Sequence, residues 1–477
     1  MKMTNTICPD NINLYFSVSK VNATLLGIGS LVMFQFSGGA SIREKPNIVF
    51  ILADDLGYGD LSVQGGKDIH TPNIDKLFNE GVRFSNFYAN CTVCSPTRAS
   101  LMTGCYPDMV GVPGVIRTHE ENSWGYFLPD AITLPDMLKK AGYQTAIIGK
   151  WHLGLETPNI PNKHGFDLFQ GFLCDMIDDY WTHRRHGINY VRLNETEIDP
   201  QGHATELFSG WAVDYILKKG KDSNPFFMYL AYNAPHFPIQ PPEEWIEKVK
   251  KREGLIENKR AKFVALVEQM DAGIGRVIDA LKESGQYENT IIVFSSDNGG
   301  DLNFGASNCN LRGGKEDMYE GGIKVPTCIV WKGTIKAGTV SNSLGLTMDL
   351  FPTLCAIAGV TISHRIDGMN LLPVILDKNM EGDNRLVYFM RREGGDYGGL
   401  CYYAARKGAY KLVQNSPYEK LQLFNIESDP QEKLPLDVNM KQFKDLKYEL
   451  SQHIRKAGSI DWQKGENNFR REFKIKP

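Results

Sequence analysis

The chain has 477 residues, 42% of them hydrophobic and 23% charged, with a formal net charge of −3. That length exceeds what one hydrophobic core usually fills, so a large domain with a smaller companion is expected. The weakly acidic balance argues against a nucleic-acid binder, which would carry a basic stripe, and no repeat or low-complexity tract interrupts the chain.

The first forty residues differ from the rest. Lys20 precedes a mostly apolar run from Ala23 to Phe34, and the small residues Ser37-Gly38-Gly39-Ala40-Ser41 follow. This is the form of a signal peptide over residues 1–40, cleaved near Ala40. A membrane anchor is the other reading, but the run is short for a spanning helix. A secreted or periplasmic protein without a stable membrane span is expected. The nine cysteines are an odd number. Cys8 falls in the leader, while Cys328 and Cys355 lie in apolar runs and read as small buried hydrophobes. Export would permit disulfides, but the spacings do not form a disulfide framework. Cys91 and Cys94 make a C-x-x-C pair; a thioredoxin-like fold would place such a pair early in a much smaller domain.

From residue 44 onward strands and helices alternate. Asn47 to Leu52 is a nearly continuous apolar run, as expected of a parallel strand buried on both faces, and Asp54-Asp55 follow it. Thr71-Pro72 opens a helix that Gly81 closes; Thr133 and Pro135 repeat the device up to Gly142. Between them, Ser95 and Pro96 suit a helix start, so Cys94 is expected just before a helix running to Gly104. The run Thr145 to Ile148 leads into Gly149-Lys150-Trp151-His152, and Phe226 to Leu230 leads into Asn233-Ala234-Pro235-His236. A long amphipathic helix places Phe263, Leu266, Val267, Met270, Ile274, Val277, Ile278 and Leu281 on one face. Thr290 to Phe294 then runs into Asp297-Asn298. Ligands of open α/β sheets bind outside the carboxyl ends of the strands, and four apolar runs here end in Asp, Asn, Lys or His.

Those residues suit one chemistry. Asp54, Asp55, Asp297 and Asn298 offer only oxygen ligands, which select Ca²⁺ or Mg²⁺ over zinc. A cation among three converging carboxylates relieves their repulsion and polarises a substrate oxygen. Cys94-Ser95-Pro96-Thr97-Arg98 matches the pattern, proline two and arginine four residues after cysteine, by which a cysteine is converted to Cα-formylglycine. The hydrated aldehyde is a nucleophile that no encoded side chain supplies, and a helix N-terminus favours the resulting anion. Lys150, Lys315, His152 and His236 add cations and proton donors for an ester whose oxygens must be held and whose leaving group must be protonated.

The chain resembles the formylglycine-dependent type-I sulfatases of the alkaline-phosphatase-like superfamily. The resemblance rests on Pro46 to Asp55, Cys94 to Arg98 with Thr103-Gly104, Gly149 to Gly154, Ser296 to Gly299, Gly313-Gly314-Lys315, Tyr319 to Gly322 and Leu423 to Pro430. It implies an α/β fold with a large mostly parallel sheet between helices, and a smaller C-terminal antiparallel sheet-and-helix domain. The catalytic domain is expected over residues 44–378 and the C-terminal α+β subdomain over 379–477. By the same resemblance, Asp54, Asp55, Asp297, Asn298 and the modified Cys94 would bind Ca²⁺, and Arg98 would orient the formylglycine. Lys150 and Lys315 would hold the sulfate. His152 would help deprotonate the hydrate, and His236 would protonate the leaving oxygen as a sulfated-enzyme intermediate forms. A formylglycine-generating maturation enzyme is an implied partner.

Two segments depart from the strand-helix pattern. Cys174 to His203 contains Asp178, Asp179, Trp181, His183 and Arg184, an aromatic ring among acids and arginines that suits a sugar; the other reading is a solvated loop with one packed tryptophan. Gly111 to Gly125, with Arg117, His119 and Trp124, is a similar candidate. A sulfated carbohydrate, of galactose or N-acetylgalactosamine type, is the expected substrate. After residue 380, Cys401 to Arg406, Tyr410 to Val413 and Leu421 to Asn425 read as antiparallel strands. A final helix there carries Phe443, Leu446, Leu450 and Ile454 on one face. Glu393, Asp396 and Tyr397 are candidates to reach the pocket. Two readings stay open beside the sulfatase: a phosphonate monoester hydrolase or phosphodiesterase of the same superfamily, and a non-catalytic sulfated-glycan-binding protein.

Overall fold

The run Asn47–Ala53 is buried at all seven positions because it lies at the middle of a ten-stranded sheet covered on both faces. Its alternate side chains divide between two cores, as the period of two demands. Val49, Ile51 and Ala53 pack with Phe263, Leu266 and Met270 of the helix Asn258–Glu283. Ile48, Phe50 and Leu52 face the other way, onto Ala99, Leu101 and Met102 and onto Leu350 and Phe351. The computed structural model describes residues 45–220, 222, 224–376, 384–393 and 400–463. The leader expected over 1–40 with its Cys8, and the candidates Asp396 and Tyr397, lie outside the described residues.

The centre of the sheet is parallel. Thr290–Ser296 and Phe226–Ala231 flank Asn47–Ala53, then come Gln144–Lys150 and Leu168–Phe172. Antiparallel pairing enters on both sides, at Thr327–Trp331 with Val82–Phe84 on one, where Thr339–Ser341 adds a parallel edge strand, and at Val191–Leu193 with Thr196–Glu197 on the other. The four strands whose polar ends the sequence singles out are therefore immediate neighbours, and all four end on the same edge.

A second sheet of four antiparallel strands follows: Leu386–Glu393, Leu400–Lys407, Tyr410–Gln414 and Gln422–Asn425. Its first strand is absent from the sequence reading. The helix Lys441–Ala457 packs Leu446 and Leu450 against Ala405, Leu412 and Leu423, with Phe443 and Ile454 at the margin of that cluster.

This sheet meets the segment downstream of Lys315 through a buried ionic network. Lys411, 0% exposed, donates to Glu320 Oε1 and approaches Glu432 Oε1, both at 2.9 Å. Tyr88 and Arg406 extend the network: Arg406 Nη1 donates to the Tyr88 hydroxyl at 2.6 Å, which donates to Glu320 Oε2 at 2.7 Å. Removing one partner of a buried pair leaves the other charge uncompensated. Lys411→Ala is accordingly expected to cost about 3–5 kcal/mol, read as a lowered urea midpoint; an unchanged midpoint would show that the network carries no net stability.

Candidate active site

Asp54 and Asp55 leave the end of the central strand in a constrained turn. Asp55 has φ of 66°, a left-handed conformation that a non-glycine residue adopts only where its surroundings hold it. Here its N–H donates to Asp297 Oδ1 at 3.2 Å, and Asn298 Nδ2 donates to Asp55 Oδ1 at 2.8 Å. His152, two residues past the end of Gln144–Lys150, is also left-handed, at φ of 61°. Gly299 has to be glycine for the site to close. Its N–H donates to Gly322 O at 2.9 Å, and a Cβ there would lie 1.8 Å from Gly321 O. Ser296-Asp297-Asn298 and the Lys315 segment are thereby brought against one another.

Three buried carboxylates interleave with the buried Arg98 and Lys150 and with Lys315, whose side chain is 10% exposed. Lys150 Nζ donates to Asp54 Oδ2 at 2.6 Å and Lys315 Nζ to Asp55 Oδ2 at 2.7 Å. Arg98 donates to Asp297 Oδ2 from Nη2 at 2.7 Å and from Nε at 3.2 Å, and approaches Asp54 at 3.6 Å. The two lysines expected at the sulfate thus touch two of the three carboxylates expected at the cation. Burial pushes the Asp297 carboxyl up to about 7, Asp54 adding to the effect and Arg98 opposing it. Asp55 goes the other way: burial alone would raise it, but Lys315 and then His236 hold it well below the usual carboxylate range.

Cys94 is the first residue of the helix Cys94–Thr103, whose ten residues are all buried. Two details differ from the sequence expectation. The cysteine lies within the first turn rather than before it, and Ser95 does not cap the helix, because its Oγ accepts from the Ile116 N–H at 3.1 Å instead. Gly104 closes the helix in the left-handed conformation, at φ of 70°. Burial first, and then Asp54 and Asp297 against the pull of Lys150 and Lys315, hold the Cys94 thiol well above its ordinary value. As encoded it is a protonated thiol, and a thiol is a poor nucleophile beside a thiolate.

Hydrogen bonding assigns the histidine tautomers. His152 Nε2 faces the Ile116 carbonyl at 2.9 Å, so it carries the proton and leaves the lone pair on Nδ1, which has no partner. Burial, with Lys150 and Arg98, holds this imidazole well below its ordinary value. His236 Nδ1 donates to Phe237 O at 2.6 Å, and its Nε2 accepts from Lys315 Nζ at 3.0 Å. Burial and Lys315 push it down to about 3, Asp55 opposing.

The donor set fits a divalent cation. The ligand atoms of Asp54, Asp55, Cys94 and His236 all lie within 4.8 Å of one another. Asp54 Oδ1 and Asn298 Oδ1 are buried and accept no hydrogen bond, a state that costs free energy unless something positive faces them.

The sugar candidates are placed differently. Asp178 accepts from Arg185 Nη1 at 2.7 Å and from the His186 N–H at 2.5 Å. Asp179 accepts from the N–H groups of Trp181 and Thr182 at 2.9 and 2.7 Å, building the turn. His183 is buried, its Nε2 2.9 Å from Gly202 O. Arg184 pairs with Asp199 at 2.9 Å. Trp181 is 49% exposed, with its edge toward His203. The His119 and His186 rings lie tilted against each other with centroids 4.8 Å apart, so the two irregular segments do meet. Glu393 is buried and takes Arg117 at 2.5 Å and Arg391 at 3.3 Å. Two supporting residues escape the sequence reading. Tyr180 OH donates to Asn233 O and His236 O at 3.0 and 2.8 Å, and Tyr229 OH accepts from Arg98 at 3.3 Å. Tyr229 lies inside an apolar strand, where nothing local marks it.

A family model described as Sulfatase matches residues 46–360, and one described as N-sulphoglucosamine sulphohydrolase, C-terminal, matches residues 314–459. N-acetylgalactosamine-6-sulfatase from Homo sapiens is 34% identical over 397 residues, 78% of this chain and 72% of that protein. Arylsulfatase A from Homo sapiens is 30% identical over 416 residues, 81% of this chain and 78% of that protein. Among solved structures, Ps i-CgsB in complex with k-i-k-neocarrahexaose is similar at TM-score 0.81 and 32% identity, covering 90% of this chain and 97% of that one.

Added Ca²⁺ is expected to raise the melting temperature, with a stabilisation of ~2.7 kcal/mol at a hundredfold excess over Kd. Asp54→Asn and Asn298→Ala should lose that response in a thermal-shift titration. An undiminished rise in both variants would place the cation elsewhere.

Proposed function

Because the chain belongs to the sulfatase family, we propose that it hydrolyses an O-sulfate ester on a galactose or N-acetylgalactosamine-type sugar of a glycan. The observation that carries this reading is Cys94 at a buried helix start, its sulfur within 4.8 Å of a carboxylate oxygen of both Asp54 and Asp55, which pair with Lys150 and Lys315. When present, Ca²⁺ held by Asp54, Asp55, Asp297 and Asn298, and the Cα-formylglycine made from Cys94, supply a Lewis acid and an oxygen nucleophile. The sugar class is supported by the relatives named for N-acetylgalactosamine 6-sulfate hydrolysis and by the neighbour crystallised with a neocarrahexaose. A secreted or periplasmic location belongs to the same reading. Among the described residues no helix is long and apolar enough to cross a membrane.

The chain's own residues divide the work. Lys150 and Lys315 turn from their carboxylates toward the sulfate oxygens, which become the nearer negative charge. Arg98, locked on Asp297, holds the helix start that presents residue 94. His152 is neutral with its lone pair on Nδ1, the form a base needs to take a proton from a nucleophilic hydroxyl. His236 rests neutral, with Nε2 accepting from Lys315. An anionic sulfate beside that ring favours the imidazolium, so His236 becomes a proton donor as substrate binds. Tyr180 fixes its backbone for that task. Trp181, Arg184, His119, His183, Asp178 and Asp179 belong to the segments we assign to the sugar, Asp178, Asp179 and His183 by shaping them.

The matured enzyme should release sulfate from members of a panel of sulfated galactose and N-acetylgalactosamine mono- and disaccharides, and Cys94→Ala should release none. Turnover of aryl sulfates alone would remove the glycan assignment. His236→Ala should lower kcat about 10²- to 10⁴-fold, the range for general acid catalysis, measured on whichever sugar is turned over.

A further inference from the structure

Lys315 is carried on a short loop that the main sheet does not hold by itself. Its backbone N–H donates to Gly300 O at 3.0 Å and that of Glu316 to Thr92 O at 3.0 Å, but Glu316 has φ of 78°. A left-handed glutamate next to the lysine persists only if its surroundings impose it. Those surroundings come largely from the C-terminal sheet. Arg391, on the strand Leu386–Glu393, donates from Nη1 to Glu316 O at 3.1 Å. Asn415, just past the strand Tyr410–Gln414, makes two bonds with one side chain. Its Oδ1 accepts from the Met318 N–H at 2.6 Å, and its Nδ2 donates to Asp317 Oδ1 at 2.8 Å. The other Asp317 oxygen accepts from the Gly314 N–H at 3.0 Å. Asp317 therefore ties the two ends of the loop together around Lys315, and Asn415 holds Asp317.

We propose that Asn415 is a positioning residue for Lys315: through Asp317 and Met318, the C-terminal sheet sets where the Lys315 ammonium stands in the active site. Among the described residues Asn415 makes no hydrogen bond to Lys315 or to the cluster around Cys94; it acts through the loop. A lysine carries a flexible four-carbon stem, so placing its Nζ within bonding distance of both Asp55 and His236 requires its backbone to be fixed. Small displacements of a positioning group cost more than their distance suggests, because the bound geometry is what lowers the barrier. This inference rests on the reading of Lys315 as a sulfate-binding residue.

The test is a double-mutant cycle on the full-length, matured, Ca²⁺-loaded enzyme, read by calorimetric titration with inorganic sulfate and by kcat and KM. Asn415→Ala is expected to weaken sulfate roughly tenfold, the scale of one charge-assisted contact. Lys315→Ala should weaken it at least as much, and the double variant no more than Lys315→Ala alone, because the two act as a unit. Asn415→Asp, which sets a carboxylate against Asp317, should reproduce the loss. Asp317→Asn combined with Asn415→Asp should restore it, since donor and acceptor are exchanged; the same pair serves if Asn415→Ala does not fold. Losses that multiply in the double variant, or sulfate binding unchanged in Asn415→Ala, would overturn the role of Asn415 and leave Lys315 as a sulfate ligand. Unchanged sulfate affinity in Lys315→Ala would overturn the reading of Lys315, and with it this proposal.

Discussion

Six charges gathered at one edge of a parallel sheet, five of them buried and Lys315 nearly so, are the constraint on which the rest of this structure depends. An isolated ionised group in such a place is prohibitively costly. The pairs Lys150 with Asp54, Lys315 with Asp55 and Arg98 with Asp297 offset that cost, helped by the further bonds that Asp55 accepts from Asn298 and that Asp297 accepts from the Asp55 N–H. The arrangement nonetheless leaves Asp54 Oδ1 and Asn298 Oδ1 without donors. Paired charges in a dry site act at far greater strength than in water. The same burial that makes the cluster costly to build makes it effective on an anionic ester.

Local strain is spent where this cluster requires it. Asp55, His152 and Glu316 adopt left-handed backbone at or beside three of the elements that bear a charged or titratable group of the site. Each is held by bonds from a different element: Asp55 by Asp297, His152 by its backbone bond to Leu173 O, Glu316 by Thr92 and Arg391. Such residues occur at active sites because the surrounding fold over-determines them. The C-terminal sheet belongs to that surrounding fold. The match to the C-terminal family model begins at Gly314, beside Lys315, and runs through this sheet.

Much of this was legible before any coordinates. Apolar runs ending in Asp54-Asp55, Lys150 to His152, His236 and Asp297-Asn298 announced their own convergence, because a strand buried on both faces must be continuously apolar and its first polar residues mark its end. The helix after Cys94 was legible from Pro96 and Gly104, residues whose backbone limits are intrinsic. The strand Leu386–Glu393 was not. Its sequence mixes Tyr388, Arg391, Arg392 and Glu393, and two of those charges, Arg391 and Glu393, are buried with partners distant in the chain, Glu316 and Arg117. The acids around Trp181 pointed to sugar hydroxyls by composition alone. Folding instead engages Asp178 and Asp179 with Arg185 and with local backbone N–H groups.

The sequence by itself determined the central strands, the order in which their polar ends arise, and the Cys94 to Arg98 motif at a helix start, since hydrophobic periodicity, capping and a linear motif are all local properties. Only the tertiary structure decided which charge faces which, which nitrogen of His152 and of His236 carries the proton, and that a residue as remote as Asn415 borders the Lys315 loop. Those are decisions about pairs of groups separated by tens to hundreds of residues. Burial strengthens such pairings, and no local pattern encodes them.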